Sequence, residues 1–125
     1  MRKLLGGQAR EFLSAYKSSS DMRVLEIGSG EIRKYADLFP NLTTLDVEAD
    51  KHPDIVGDAH ALPVPDESYD IIVCSEVFEH LHNPMLAAAE MRRVLKPGGL
   101  LLLTTRFLFP VHDAPGDYWR FTPYG

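Results

Sequence analysis

The chain of 125 residues is long enough for one domain, and its 45% apolar content is that of a globular protein. Its net charge of −5, without a basic block, argues against a general nucleic-acid-binding protein. The only cysteine, Cys74, excludes an intramolecular disulfide and indicates a reducing compartment. No apolar run approaches membrane-spanning length. We therefore predict one cytoplasmic domain over residues 1–125 that has no membrane anchor and is not a general nucleic-acid-binding protein, although the charge does not exclude a nucleic-acid substrate.

Strands and helices alternate along the chain. The spacing of apolar residues predicts helices over residues 8–17, 31–39 and 85–95, and strands over residues 24–27, 41–46, 55–58, 69–75 and 100–105. The first helix has Ala9, Phe12, Leu13 and Tyr16 on its packing face. The alternation predicts an α/β fold with a doubly wound, mostly parallel sheet of about five strands.

Two details of this layout are unusual. Only eight residues separate residues 46 and 55, whereas a parallel crossover normally needs a dozen or more, so we expect a missing helix or one reduced to a turn. The last strand is continuously apolar over residues 100–103, which predicts burial on both faces.

A glycine turn follows the first strand. Val24, Leu25 and Ile27 suit a buried strand, and Gly28 and Gly30 let the backbone take positive φ or approach a ligand closely. Glu26 is a carboxylate in an apolar run, and its burial is costly unless a ligand or solvent pairs with it. A dinucleotide site would have a third glycine where this chain has Arg33.

Three other predicted strands end in polar residues: Asp46, Asp58, which Ala59 follows, and Ser75. Ligands of open parallel sheets bind outside the carboxyl ends of the strands. Asp46 follows Gly28 by 18 residues, near the ~20-residue offset at which an acid holds ribose hydroxyls. Each aspartate alone suits a simple turn. The presence of both aspartates at strand ends, next to the glycine turn, favours a nucleoside-binding site instead.

The run VLEIGSG at residues 24–30 resembles the first motif of class I S-adenosylmethionine-dependent methyltransferases, although Ile32 stands where a further glycine is usual. GDAHALPVPDESYDIIVCSEVFEHL and RVLKPGGLLLLT resemble two later blocks of the small-molecule "type 11" branch. The resemblance extends from about residue 24 to residue 99 and implies a Rossmann-like methyltransferase fold.

The resemblance implies S-adenosylmethionine as methyl donor, S-adenosylhomocysteine as product, and direct displacement by a small-molecule or sugar-like acceptor. Gly28, Ser29 and Gly30 would lie against the methionine part of the cofactor, and Glu26 would reach its amino group. On the same basis Asp46 would hold the ribose and Val47 would contact the adenine. Asp58 and the Ala59 backbone N–H would bind the adenine edge, and Ser75 would line the passage to the methyl group.

A catalytic base is expected if the acceptor is a hydroxyl. The irregular segment after the last strand contains His112, our candidate base because imidazole titrates near neutral pH. For His80 we expect a structural hydrogen bond. His52, His60 and His82 are scattered in the sequence and nothing marks them as metal ligands, so we predict no metal site.

Two other functions stay open: a binding or partner protein that keeps the fold without turnover, and a nicotinamide-dependent oxidoreductase, disfavoured by Arg33. The antiparallel hairpin that usually covers the last strand in this fold is missing, so residues 100–103 would form an exposed apolar edge. We expect a second copy of the chain to cover it as a homodimer. The alternative is that the chain is a fragment of a longer protein.

Overall fold

The computed structural model describes residues 2–124, with side chains from residue 7 onward. Five parallel strands form one sheet in the order β3-β2-β1-β4-β5. The elements are α1 (Arg2–Tyr16), β1 (Arg23–Ile27), β2 (Asn41–Asp46), β3 (Ile55–Val56), β4 (Tyr69–Ser75), α2 (Pro84–Val94) and β5 (Leu95–Thr104). The α/β doubly wound prediction is therefore confirmed.

The central strands β1 and β4 are buried on both faces, and their alternating side chains enter two separate apolar clusters. Leu25 and Ile72 pack on the face that carries Met91 of α2, and all three side chains are fully buried. Val24 and Ile71 point to the opposite face, into a second apolar cluster. Cys74 of β4 is also fully buried, and burial raises the pKa of its thiol to about 12. It is a core residue, as expected.

The predicted helix over residues 31–39 is wrong, since this segment forms consecutive turns. The Lys34 carbonyl accepts a hydrogen bond from the Arg10 guanidinium of α1 at 3.0 Å. The Leu38 N–H donates to the carbonyl of Tyr35 at 3.1 Å, three residues earlier. The apolar spacing still buries Tyr35 and Phe39, but a tertiary contact replaces the helical bond at Lys34.

The short crossover between β2 and β3 is confirmed as a single 3-10 turn, Ala49–Lys51. On α1, Ala9 and Leu13 are buried as expected, but Phe12 and Tyr16 are 48% and 39% exposed and stack on each other. Their predicted place on the packing face is wrong.

Burial of the last strand on both faces is also wrong. β5 is the edge of the sheet, its leucines at residues 100–102 are only half-buried, and Leu103 is 38% exposed. The strand begins at Leu95, so residues 96–99, which were expected to end the helix, belong to it. Within residues 2–124, no helix has the length and apolar content needed to cross a bilayer.

Candidate active site

A cleft of about 640 Å³ opens at the carboxyl ends of β1 and β2. It lies beside β1, where the strand order reverses between β2 and β4, the usual ligand position in open α/β sheets. The cleft brings together five residues predicted to bind the cofactor: Gly28, Asp46, Val47, Asp58 and Ala59.

Gly28 has a conformation and surroundings that a side chain would not tolerate. Its φ is +70°, and its N–H donates to the Leu45 carbonyl of β2 at 2.8 Å. A Cβ at this position would lie 2.2 Å from Cγ2 of Val77, on the loop after β4. Because Gly28 has no side chain, its backbone forms part of the cleft wall and is accessible to a ligand.

Asp46 is held rigidly at the end of β2. Its Oδ2 accepts from the Gly30 N–H and its Oδ1 from the Glu48 N–H, both at 3.0 Å. A carboxylate has about four lone-pair directions, so each oxygen keeps acceptor capacity for a ligand hydroxyl. Asp46 thus links the glycine turn to the crossover and can also bind a ligand.

Asp58 is fixed by His60, a cleft residue that the sequence analysis did not select. Oδ1 of Asp58 accepts from the His60 backbone N–H at 2.8 Å and lies 2.6 Å from Nδ1 of its ring. The Asn83 N–H donates to His60 Nε2 at 3.2 Å, which assigns the ring proton to Nδ1. The backbone bond from His60, more than any other contact, lowers the pKa of Asp58.

Glu26 has a buried oxygen without a partner. The side chain is 3% exposed, and no hydrogen bond reaches Oε2 from the described residues. Burial raises its pKa to about 7, although the positive charges of Lys34 and Arg33 act in the opposite direction. A donor or cation in a bound ligand would satisfy this oxygen.

The remaining predicted cofactor residues do not line the cleft. Ser29 and Gly30 border a separate hollow of about 370 Å³. In the part of the chain that the structure describes, Glu26 and Ser75 line neither the cleft nor this hollow. Ser75 Oγ lies 2.7 Å from Oγ1 of Thr104, which donates to a Glu76 oxygen at 3.1 Å. Ser75 is therefore engaged across the sheet, between β4 and β5.

The candidate base His112 lies behind the cleft wall and faces His80. The two Nε2 atoms are 3.2 Å apart, and one oxygen of the fully buried Glu79 is 4.0 Å from each. His80 makes the expected structural hydrogen bond, with Nδ1 2.7 Å from the Gly116 carbonyl oxygen, and it also lines the cleft. Glu79 could not be identified from the sequence, because adjacent Glu and His alone do not have a metal-ligand spacing.

The family model and a curated relative that match this chain are both methyltransferases. Residues 25–103, more than half of the chain, match the family described as "Methyltransferase domain". A demethylmenaquinone methyltransferase of Renibacterium salmoninarum is 34% identical over 114 residues, which cover 78% of this chain and 48% of that protein.

Solved structures show the same fold. The YcgJ protein of Bacillus subtilis aligns with a TM-score of 0.63 and 26% identity, over 77% of this chain and 49% of that one. The [4+2]-cyclase SpnF aligns with a TM-score of 0.65 and 23% identity, over 75% of this chain and 42% of SpnF. The chain thus spans about half the length, or less, of these proteins.

Proposed function

The chain belongs to the class I methyltransferases of the type 11 branch, and on that premise we propose that it transfers the methyl group of S-adenosylmethionine to a small-molecule acceptor. The observation that carries the proposal is the cleft that joins Gly28, Asp46, Asp58 and Ala59 at the carboxyl ends of the strands. The substrate named for the Renibacterium relative, demethylmenaquinone, is not a macromolecule, which favours an acceptor of that class.

The residues present fit the cofactor. Gly28 leaves the backbone bare where a Cβ would strike Val77, and the unpartnered Glu26 oxygen suits an ammonium group. We assign the ribose hydroxyls to Asp46 and the adenine edge to Asp58 and the Ala59 N–H. Ser29, Gly30, Val47 and Ser75 complete the proposed set.

When bound, the cofactor supplies an electrophilic methyl group. The chain contributes positioning, because most of the acceleration comes from holding the nucleophile in line with that group. Of the two imidazoles, His80 lines the cleft and His112 lies behind it, with the two Nε2 atoms 3.2 Å apart. We propose that this pair takes the proton of an acceptor hydroxyl, with His112 as the base that the sequence predicts.

Isothermal titration of the purified chain tests the proposal, with S-adenosylmethionine, S-adenosylhomocysteine and NAD as ligands. We expect micromolar binding of the first two and none of NAD, followed by turnover in a screen of small-molecule acceptors. Binding of NAD alone would instead support the oxidoreductase, and absence of all binding would contradict the assignment of the cleft.

Replacing Asp46 with Ala is expected to weaken S-adenosylmethionine binding by more than about 1 kcal/mol, because it removes a charge-assisted contact to the ribose. It also releases the Gly30 and Glu48 N–H groups. Calorimetry on folded protein measures the change. Asp21→Ala, an exposed carboxylate before β1 that lines neither space, is the control and should bind normally. Equal affinities for the two variants would refute the ribose role.

The second function is a cofactor-binding protein without turnover. The segment after the glycine turn forms turns, so no helix N-terminus supports a ligand at this point, and we expect weaker cofactor binding than a helix would give. Tight cofactor binding together with no product from a broad acceptor screen would favour that function over catalysis.

We also propose a cytoplasmic homodimer in which a second copy covers the edge strand β5. The partly exposed leucines of β5 support the dimer, and the buried Cys74, which forms no disulfide, supports the cytoplasmic location. Analytical ultracentrifugation at high micromolar concentration should show the dimer, and a well-behaved monomer would contradict it.

A further inference from the structure

We propose that Glu79, His80 and His112 bind a divalent transition-metal ion of the zinc class. The three side chains come from the loop after β4 and from the irregular segment after β5, and their ligand atoms all lie within 4.8 Å of one another. Two imidazoles and one carboxylate form a ligand set used for catalytic zinc, whereas magnesium and calcium prefer oxygen ligands. The proposal departs from the prediction of no metal site, which treated the histidines as scattered.

The spacing of the ligand atoms suits such an ion. Metal–ligand distances near 2.0–2.2 Å place tetrahedral ligand atoms roughly 3.3 to 3.5 Å apart. The two Nε2 atoms are 3.2 Å apart, close to that value. The Glu79 oxygen lies 4.0 Å from each of them, so only a small inward movement of the carboxylate is needed.

The ring protons leave both Nε2 atoms free to bind. His80 Nδ1 lies 2.7 Å from the Gly116 carbonyl oxygen, which has no proton, so Nδ1 is the donor. His112 Nδ1 faces the Pro110 carbonyl at 3.3 Å and the Asp117 carboxylate at 3.2 Å. In the neutral rings, both Nε2 atoms therefore carry a lone pair, and these two atoms lie 3.2 Å apart. Metal-binding histidines commonly donate their other N–H to a carbonyl or carboxylate in this way.

A buried oxygen that accepts no hydrogen bond is the independent observation. Glu79 is 0% exposed, and its Oε1, the atom nearest both imidazoles, accepts no hydrogen bond from the described residues. Its other oxygen accepts from Thr105 at 3.2 Å. Arg106 forms an ion pair with Oε1, with Nε 3.5 Å away, and also pairs with Glu76, so Oε1 has a neighbouring charge but still lacks a hydrogen bond or a ligand contact.

The site borders the cleft, since His80 and Glu76 line it. Three protein ligands leave a coordination position open, as in catalytic zinc sites. If the proposed methyl transfer is correct, an acceptor hydroxyl at that position would lose its proton more readily. Metal binding itself does not depend on the methyl-transfer proposal.

Zinc titration of the chelator-stripped chain tests the site without any cofactor. Equilibrium dialysis against Zn²⁺ with elemental analysis should give one bound ion per chain. We expect His80→Ala, His112→Ala and Glu79→Gln each to weaken binding by at least about tenfold, since even residues that only orient the ligands contribute 10- to 100-fold. His82→Ala is the matched control, because His82 is an exposed neighbour outside the cluster.

A second measurement needs no variant. Zinc added to the ¹⁵N-labelled parent chain should shift the ring Nε2 resonances of His80 and His112 and leave His82 unchanged. Binding that survives loss of His80 and His112, an equal loss in His82→Ala, or no bound zinc would overturn the proposal. If no zinc binds, the short distance between the two Nε2 atoms would instead indicate a hydrogen bond, with one shared proton, between His80 and His112. Normal cofactor titration in the same preparation separates this failure from failure of the proposed function.

Discussion

Replacing Glu26 with Gln is expected to remove a pH dependence of the unfolding free energy worth about 2.5 kcal/mol between pH 5 and pH 8. Burial raises the pKa of this carboxyl from 4.5 to about 7. Between those values the folded protein holds the proton more tightly than the unfolded chain does. Stability from this group is therefore present below pH 4.5 and is lost as the pH rises through 7.

Urea unfolding at both pH values measures the difference between the parent and the variant. Glu11→Gln, at an exposed position on α1, is the matched control and should keep the pH dependence of the parent. A Glu26→Gln variant with the same pH dependence as the parent would show that the carboxylate is paired or solvated in the native protein. Cofactor titration of the same variant would then test its contact with an ammonium group.

Replacing Gly28 with Ala is expected to destabilise the fold by about 2–4 kcal/mol and to abolish measurable S-adenosylmethionine binding. The alanine backbone would have to keep φ near +70°, and its Cβ would lie 2.2 Å from Val77 Cγ2. Relief of that overlap requires movement of the glycine turn or of the loop after β4, and both residues line the cleft. Denaturant unfolding and calorimetry measure the two effects.

Gly30→Ala separates backbone strain from steric overlap. Gly30 has φ +61°, but nothing lies within 4 Å of its added Cβ, so this variant should lose only about 1–2 kcal/mol. Val77→Ala combined with Gly28→Ala should recover most of the remaining difference. If Gly28→Ala costs no more than Gly30→Ala, or if the double substitution recovers nothing, the overlap with Val77 does not determine the effect.

The sheet was predictable because its information is local. Alternation along β1 and β4 determines which side chains face each core. The residues at the strand ends were predictable for a related reason, since parallel strands place their carboxyl ends at one edge. Asp46 and Asp58 therefore meet in the cleft as expected.

The predictions were wrong where the local structure depends on a contact with a distant residue, or where burial depends on the position of a strand in the sheet. The segment over residues 31–39 has helical apolar spacing, yet Arg10 of α1 binds the Lys34 carbonyl and the segment turns. The leucines of β5 have the composition of a central strand, but strand order places them at an edge. The local sequence does not show which donor a carbonyl will bind, and it does not show whether a strand lies at the centre or at the edge of the sheet.

The amino-acid sequence by itself determined the α/β class, the glycine turn and the aspartates at the strand ends, because each depends on backbone geometry and short-range periodicity. Only the tertiary structure brought His112 to His80 and Glu79, from 32 residues away, and left a Glu79 oxygen and a Glu26 oxygen buried without hydrogen bonds. Such groupings arise from the packing of loops that are remote in sequence. Their chemistry depends on burial and distance, which the order of residues does not specify.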